Sequence, residues 1–208
     1  MKYEVTYDGV ATHLDWVLEG VNATMVDWFW SNMEKAFILW HPAQHDPLEW
    51  AVAPKHGNPL GSIHIAPQTW NDGVRQNLYI RMEKLEEVPE EVRKYIIYEH
   101  VIIVCGLGLG EECLTNPNPL GYRLHQWERR DYGIIGKSTA YEIHKKNEGE
   151  VDNVWAAHCG EEIGNWEVFL PQLYTLYKVV NCPNRNPFTD LSVGGKGLEA
   201  KYKYIKQI

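Results

Sequence analysis

The sequence predicts an α+β protein of the helix-grip type, in which a curved antiparallel sheet wraps around one long C-terminal helix. Three observations carry that prediction. Helical spacing marks a Trp-rich segment near residue 25 and a much longer one from about residue 154, and the strand-like stretches between them are joined by links too short for crossovers. A helix, a meander and a closing helix bury their apolar surfaces together when the sheet folds over the last helix, and the two then enclose a cavity.

The first helix, MVDWFWSNMEKA, takes Asn22 or Thr24 as its cap, because either side chain can accept from the free N–H groups of a first turn, and it ends near Ala36. The apolar FILWHP that follows reads as a strand, and Pro42 turns the chain. LEWAVAP, GSIHIAPQTW, VRQNLYIRMEKL, KYIIYEHVIIVCGLGLG, YRLHQWERR and IIGKSTAYEIHK then have strand character, separated by Gly, Asn, Pro and Asp clusters. The closing helix starts near Val154 with Asp152 or Asn153 as N-cap, carries Pro171, where a kink is expected, and ends near Asn181. Residues 182–208 are Gly-rich and polar, then basic and Tyr-containing, and read as a tail made of a loop and a packed or frayed terminal segment. No internal repeat or domain boundary interrupts residues 1–208, so the chain is expected to form a single helix-grip domain with one substantial core.

Composition narrows the function. The formal charge is -8, and no cluster of Lys and Arg exceeds the pairs Arg129-Arg130 and Lys145-Lys146, which disfavours nucleic acid. Nine Trp and twelve Tyr against four Phe favour rings with a polar handle, suited to a flat, partly polar ligand or to a plain core. No run of eighteen apolar residues and no leader pattern is present, so a soluble, cytoplasmic protein without a membrane partner is expected; a homo-oligomer is permitted but not required. Cys105, Cys113, Cys159 and Cys182 form no CxxC pair and are read as reduced thiols. CGLGLGEEC lacks both the GK[ST] ending of a phosphate loop and the GxGxxG spacing of a dinucleotide site, and neither GxSxG, HExxH nor HxH occurs.

The chemistry concentrates in two places. In VWAAHCGEEIGNWEVFLPQLY the stripe Trp155, His158, Glu162, Trp166, Phe169, Leu173 and Leu176 steps by three and four and is apolar except at His158 and Glu162. That pair faces inward, where it must be satisfied by a hydrogen-bond network, by itself, or by a metal. In FILWHPAQHDPLEW, His41 and His45 are divided by Pro42, so only one is expected as a ligand, and His41 is read as pairing with backbone at the turn. GSIHIAPQTW as a strand puts His64, Ala66 and Gln68 on one face. Glu99, His100, His125 and Glu128 lie in similar strand contexts.

These two motifs, MVDWFWSNMEKAFILWHPAQH and HCGEEIGNWEVFLPQLY, resemble the diacetylphloroglucinol hydrolase and phloretin hydrolase family, whose members show a Trp-rich helix, a WHPxxH segment and a terminal HxxxE helix with a Leu-Pro-x-Leu-Tyr ending. The resemblance spans residues 25–180, with its specificity at the two ends. It implies a zinc enzyme that cleaves a carbon–carbon bond between an acyl group and a phenolic ring, on a fold similar to the plant pathogenesis-related, Bet v 1-like proteins. The family holds its metal with two His and two Glu, which maps the ligands onto His45, His158 and Glu162. The strand GSIHIAPQTW lacks the second Glu, so His64 is expected as the fourth ligand, with Gln68 or Glu99 as alternatives, since zinc takes imidazole more readily than a neutral amide. The family's substrate-facing Tyr is Phe37 here, which removes a hydroxyl from a pocket expected to include Trp40 and Trp155.

The implied reaction delivers hydroxide to an aromatic ketone and lets the ring carbon leave as it is protonated, which restricts substrates to polyphenols and β-diketones. His100, Tyr122 and His125 are the expected proton donors or phenol partners, with Glu161 as a further candidate otherwise read as a solvated neighbour. The competing expectation is a metal-free binding module for a small hydrophobic or aromatic ligand.

Overall fold

The computed structural model describes residues 1–56, 58–71, 73–143, 153–180 and 190–205; Asp152, Asn181 and Cys182, which figure in the expectations above, lie outside them. Strands β1 (Lys2–Tyr7), β2 (Thr12–Glu19), β3 (Glu49–Val52), β4 (Ile63–Thr69), β5 (Arg75–Met82), β6 (His100–Gly108), β7 (Gly121–Arg130) and β8 (Gly133–Glu142) form one antiparallel sheet in the order β1-β2-β8-β7-β6-β5-β4-β3. The long helix α4 (Asn153–Val179) and the short helices α1 (Ala23–Ser31) and α2 (Phe37–Trp40) cover one face of it. A single turn, α3 (Glu90–Arg93), lies on the other. No helix among the described residues is long and apolar enough to cross a membrane.

Alternation along the strands divides the apolar residues between two cores. Leu14, Trp16 and Leu18 of β2, with Ile102 and Val104 of β6, face the helices, whereas Val101 and Ile103 join Leu124, Val88 and Val92 on the opposite face. Gly136 of β8 sits opposite Trp16 in register, and a Cβ there would lie 2.1 Å from the indole ring. Glycine therefore lets Trp16 lie across β8 and donate from Nε1 to Ser138 Oγ at 3.1 Å.

Several elements differ from expectation for identifiable reasons. The residues before Asn22 form β1 and β2, two strands beyond those expected. Asn22 is the cap of α1, its side chain accepting from Met25 N at 3.0 Å, but the helix stops at Ser31 because the Asn32 amide turns back to Trp28 O. FILW is a helical turn and not a strand: Phe37 and Trp40 are buried while Ile38 and Leu39 are about half exposed, a three-residue period that suits packing on α4. The strand expected from Lys94 begins only at His100, because Ile97 N and Tyr98 N donate to the Gln126 side chain and not to a neighbouring strand. The tail contains a separate hairpin, β9 (Asp190–Gly194) with β10 (Lys201–Ile205), fastened where Tyr202 donates to Val101 O at 2.7 Å and Tyr177 bonds Asp190.

Along α4 the predicted stripe holds through Trp166 and then rotates, so that Leu170 and Tyr177 are buried and Leu176 is exposed. Trp166 is fully buried, stacks on Trp40 at 5.7 Å and meets Trp16, Phe29 and Trp30 edge-on. Trp166→Ala should therefore cost roughly 3–5 kcal/mol in urea unfolding. A loss below about 1 kcal/mol would contradict this packing.

Candidate metal centre

His158 and Glu162 lie one turn apart on the inward side of α4, as their spacing requires. His45 reaches them from a loop that hydrogen bonds hold on both sides. Gln44 N and His45 N donate to His41 O, Asp46 N donates to Pro67 O at 2.9 Å, and Thr69 N donates to Gln44 O at 2.8 Å, so the loop is knitted to the end of β4. The His45 ring stacks on Phe37 with centroids 3.9 Å apart and an interplanar angle of 3°. Its Nδ1 is 2.9 Å from Phe37 O, and because a carbonyl only accepts, Nδ1 carries the hydrogen. His158 Nδ1 stands 2.7 Å from Gln44 Oε1, with the same consequence.

Both Nε2 atoms are thereby left with lone pairs that converge on one carboxylate oxygen. Glu162 Oε1 is 3.3 Å from each, and the two Nε2 atoms are 3.4 Å apart. Among the described residues this is the group of His, Cys, Asp and Glu side chains whose ligand atoms gather within 4.8 Å. Burial favours the protonated Glu162 carboxyl, and positive charge at His158 and His45 opposes burial and favours the carboxylate. The separations exceed the 2.7–2.9 Å of charge-assisted hydrogen bonds. They match instead the edge of a tetrahedron with about 2.0–2.1 Å metal–ligand bonds, about 3.3–3.4 Å. The donor set, two neutral imidazoles and one carboxylate, is of a kind that can hold a divalent metal ion.

The cluster opens onto a cavity of about 690 Å³ between the sheet and α4. His64, Ala66 and Gln68 of β4 all border it, as the alternation predicts, and so do Phe37, Trp40 and Trp155. His64 is not among the three clustered groups, and its Nδ1 has no hydrogen-bond partner among the described residues. Burial first, and then the nearby His45, push its imidazole down to about 3, with Glu162 opposing. His125 also borders the cavity, with Nδ1 2.9 Å from Ser138 Oγ; burial lowers it to about 4, against the pull of Glu162 and with the help of Arg123.

The remaining expected residues stand elsewhere. His100 is not a cavity residue: it pairs with Asp27 at 2.8 Å and stacks on Trp127, where α1 closes the far end of the sheet. Tyr122 points to the opposite face with Leu124, because it is out of phase by one residue with Arg123 and His125. Glu99 pairs with Lys196 on the exterior. Glu161 is exposed, 3.3 Å from His41 Nε2, and among the described residues His41 makes no backbone bond through its ring but stacks on His158 at 4.6 Å. Sequence reasoning missed Gln44, Asn71 and Trp70, neutral side chains with no charge signal, and Arg123, which the alternation of YRLHQWERR placed on the His125 face.

No family model and no curated protein matches this chain. Among solved structures it is similar to a protein of Mycobacterium smegmatis, with 14% identity and a TM-score of 0.57 over 83% of this chain and 98% of that one. It is similar also to the major latex-like protein 151 of Panax ginseng, with 9% identity and a TM-score of 0.54 over 77% and 98% of the two chains. Ara h 8.0201 gives 11% identity and a TM-score of 0.51 over 78% and 99%. At these identities the likeness establishes the fold, which is the Bet v 1-like helix grip.

The depressed His125 has a consequence for acid stability. The folded protein refuses a proton that the unfolded chain accepts below about 6.5, so stability is lost as pH falls from there toward 4, by about 3 kcal/mol for this one group. Urea unfolding at pH 7 and pH 4.5 should show that His125→Gln loses about 2–3 kcal/mol less than wild type on acidification. Equal losses would place the acid sensitivity elsewhere.

Proposed function

We propose that the cavity is the active site of a zinc-dependent hydrolase that cleaves the carbon–carbon bond between an acyl group and a polyphenol ring, or the corresponding bond of a β-diketone. The observation that carries this reading is the convergence of His45 Nε2, His158 Nε2 and Glu162 Oε1 at 3.3–3.4 Å with both imidazole tautomers fixed. The motif resemblance to the diacetylphloroglucinol hydrolase and phloretin hydrolase family points to the same chemistry. His45, His158 and Glu162 would hold the ion, with His64 and Gln68 on the wall beside them. A divalent ion so held supplies Lewis acidity toward a carbonyl and brings the pKa of water down toward about 7.

The chain's own residues account for the rest of the reaction. Hydrolysis adds hydroxyl to the acyl carbon and a proton to the ring carbon, so the site needs a proton-handling group beside the ring. His125 borders the cavity whereas His100 and Tyr122 lie away from it; lowered to about 4 it is neutral near pH 7, and its role is to relay a proton from water to the ring carbon, with Nδ1 held at Ser138 Oγ. Trp40, Trp155 and Phe37 exclude water and offer flat surfaces to an aromatic ring. Phe37 has no hydroxyl, and the polar contacts to phenolic oxygens fall to Gln68 and His64.

A second reading, a metal-free binding protein for a small aromatic ligand, is favoured by the apolar remainder of the wall, including Met33, Leu78, Ile80 and Val104. Metal content separates the two. Elemental mass spectrometry of protein purified without chelators should find about one zinc per chain, lost in His158→Ala and Glu162→Ala while circular dichroism stays native. Both variants should lose hydrolysis of acylphloroglucinols. Wild type without zinc, even after zinc is added back, would leave the binding protein as the reading.

A further inference from the structure

We propose that Gln44 is the positioning residue of this centre: it fixes the tautomer and the in-plane orientation of His158, and through them sets the metal affinity. The inference rests on the metal reading above but adds to it a residue outside the ligand set.

The geometry is a short relay. His158 Nδ1 is 2.7 Å from Gln44 Oε1, and Gln44 Nε2 is 2.7 Å from Asn71 Oδ1. The Asn71 carbonyl oxygen only accepts, so the Gln44 amide must present its NH₂ group to Asn71 and its oxygen to His158. The hydrogen of a neutral His158 is then held on Nδ1, and the Nε2 lone pair faces Glu162 and His45. His41 stacks on the ring at 4.6 Å and 14°, and Trp70 meets it at 5.0 Å with a tilt of 51°. Face contacts restrain tilt; they choose neither which nitrogen is protonated nor how the ring turns in its own plane. The bond at the ring edge decides both.

Gln44 is itself rigid, being buried, with its main-chain N–H bonded to His41 O and its carbonyl accepting from Thr69 N. The partner of the other histidine is a main-chain carbonyl, Phe37 O, which no side-chain substitution removes. Of the two imidazole orientations, the one at His158 is therefore the one that a side chain determines. Outer contacts of this kind change metal affinity about 10–100-fold when lost.

The experiment compares wild type, Gln44→Leu and Gln44→Glu in two measurements. Zinc affinity is obtained by competition with a chromogenic chelator, and the His158 tautomer of the metal-free protein from ¹⁵N–¹H correlations of the imidazole rings. Gln44→Leu should bind zinc about 10–100-fold more weakly and lose the fixed Nδ1–H tautomer, whereas Gln44→Glu, which keeps an acceptor in place, should match or exceed wild type. Asn71→Ala supplies a milder loss of the same kind should the Leu variant not fold. Unchanged affinity and tautomer in Gln44→Leu would overturn the proposal, as would a Glu variant as weak as the Leu variant. If wild type binds no zinc, the metal reading fails, and the tautomer comparison alone still decides the role of Gln44.

Discussion

One carboxylate oxygen, Glu162 Oε1, stands equally far from two imidazole nitrogens whose lone pairs both face it, and the rest of the site is arranged around that contact. Three acceptors at such range repel one another unless a cation lies among them. A single proton satisfies at most two of the three atoms, and two protons set imidazolium charges 3.4 Å apart. A divalent ion would satisfy all three at once, and the proposed metal reading rests on that arrangement.

Keeping such groups apart falls to the aromatic packing. Trp166, one turn beyond Glu162 on α4, stacks on Trp40, whose carbonyl accepts from Asn165 at 2.9 Å. Phe37 of the same short helix clamps His45 by ring and carbonyl together. The helix grip thus joins the site at both ends: α4 carries two of the three clustered groups, and the turn that α2 leads into carries the third, pinned to β4. A lost ring in this cluster acts on the site through these contacts as well as on the core.

Much of this is legible in the sequence because it depends on period. The i, i+4 spacing of His158 and Glu162 within an apolar stripe fixes their direction, and alternation puts His64, Ala66 and Gln68 on one wall. The element order leads to the helix grip with no alignment. What escaped has equally physical causes. FILW is too short for periodicity to separate a strand from a turn of helix, and exposure of Ile38 and Leu39 is a tertiary fact. Tyr122 and His125 share a strand but not a face, and the phase of β7 is set by its pairing with β6 and β8. Gln44 carries no charge, and its importance lies in bonds to residues that are 27 and 114 positions away.

The way the ligands are held also bears on how metal and folding are linked in the proposed reading. Small zinc domains fold only with their metal, because nothing else holds the ligands together. Here each ligand is placed by contacts that owe nothing to an ion: Glu162 by the helix, His45 by Phe37, and His158 by Gln44 and the two neighbouring rings. With the rings so fixed, both nitrogens stand 3.3 Å from the carboxylate oxygen, and the three acceptors repel one another. An ion entering this site relieves that repulsion with little rearrangement, so its binding energy goes into occupancy of the site and not into assembly of the chain.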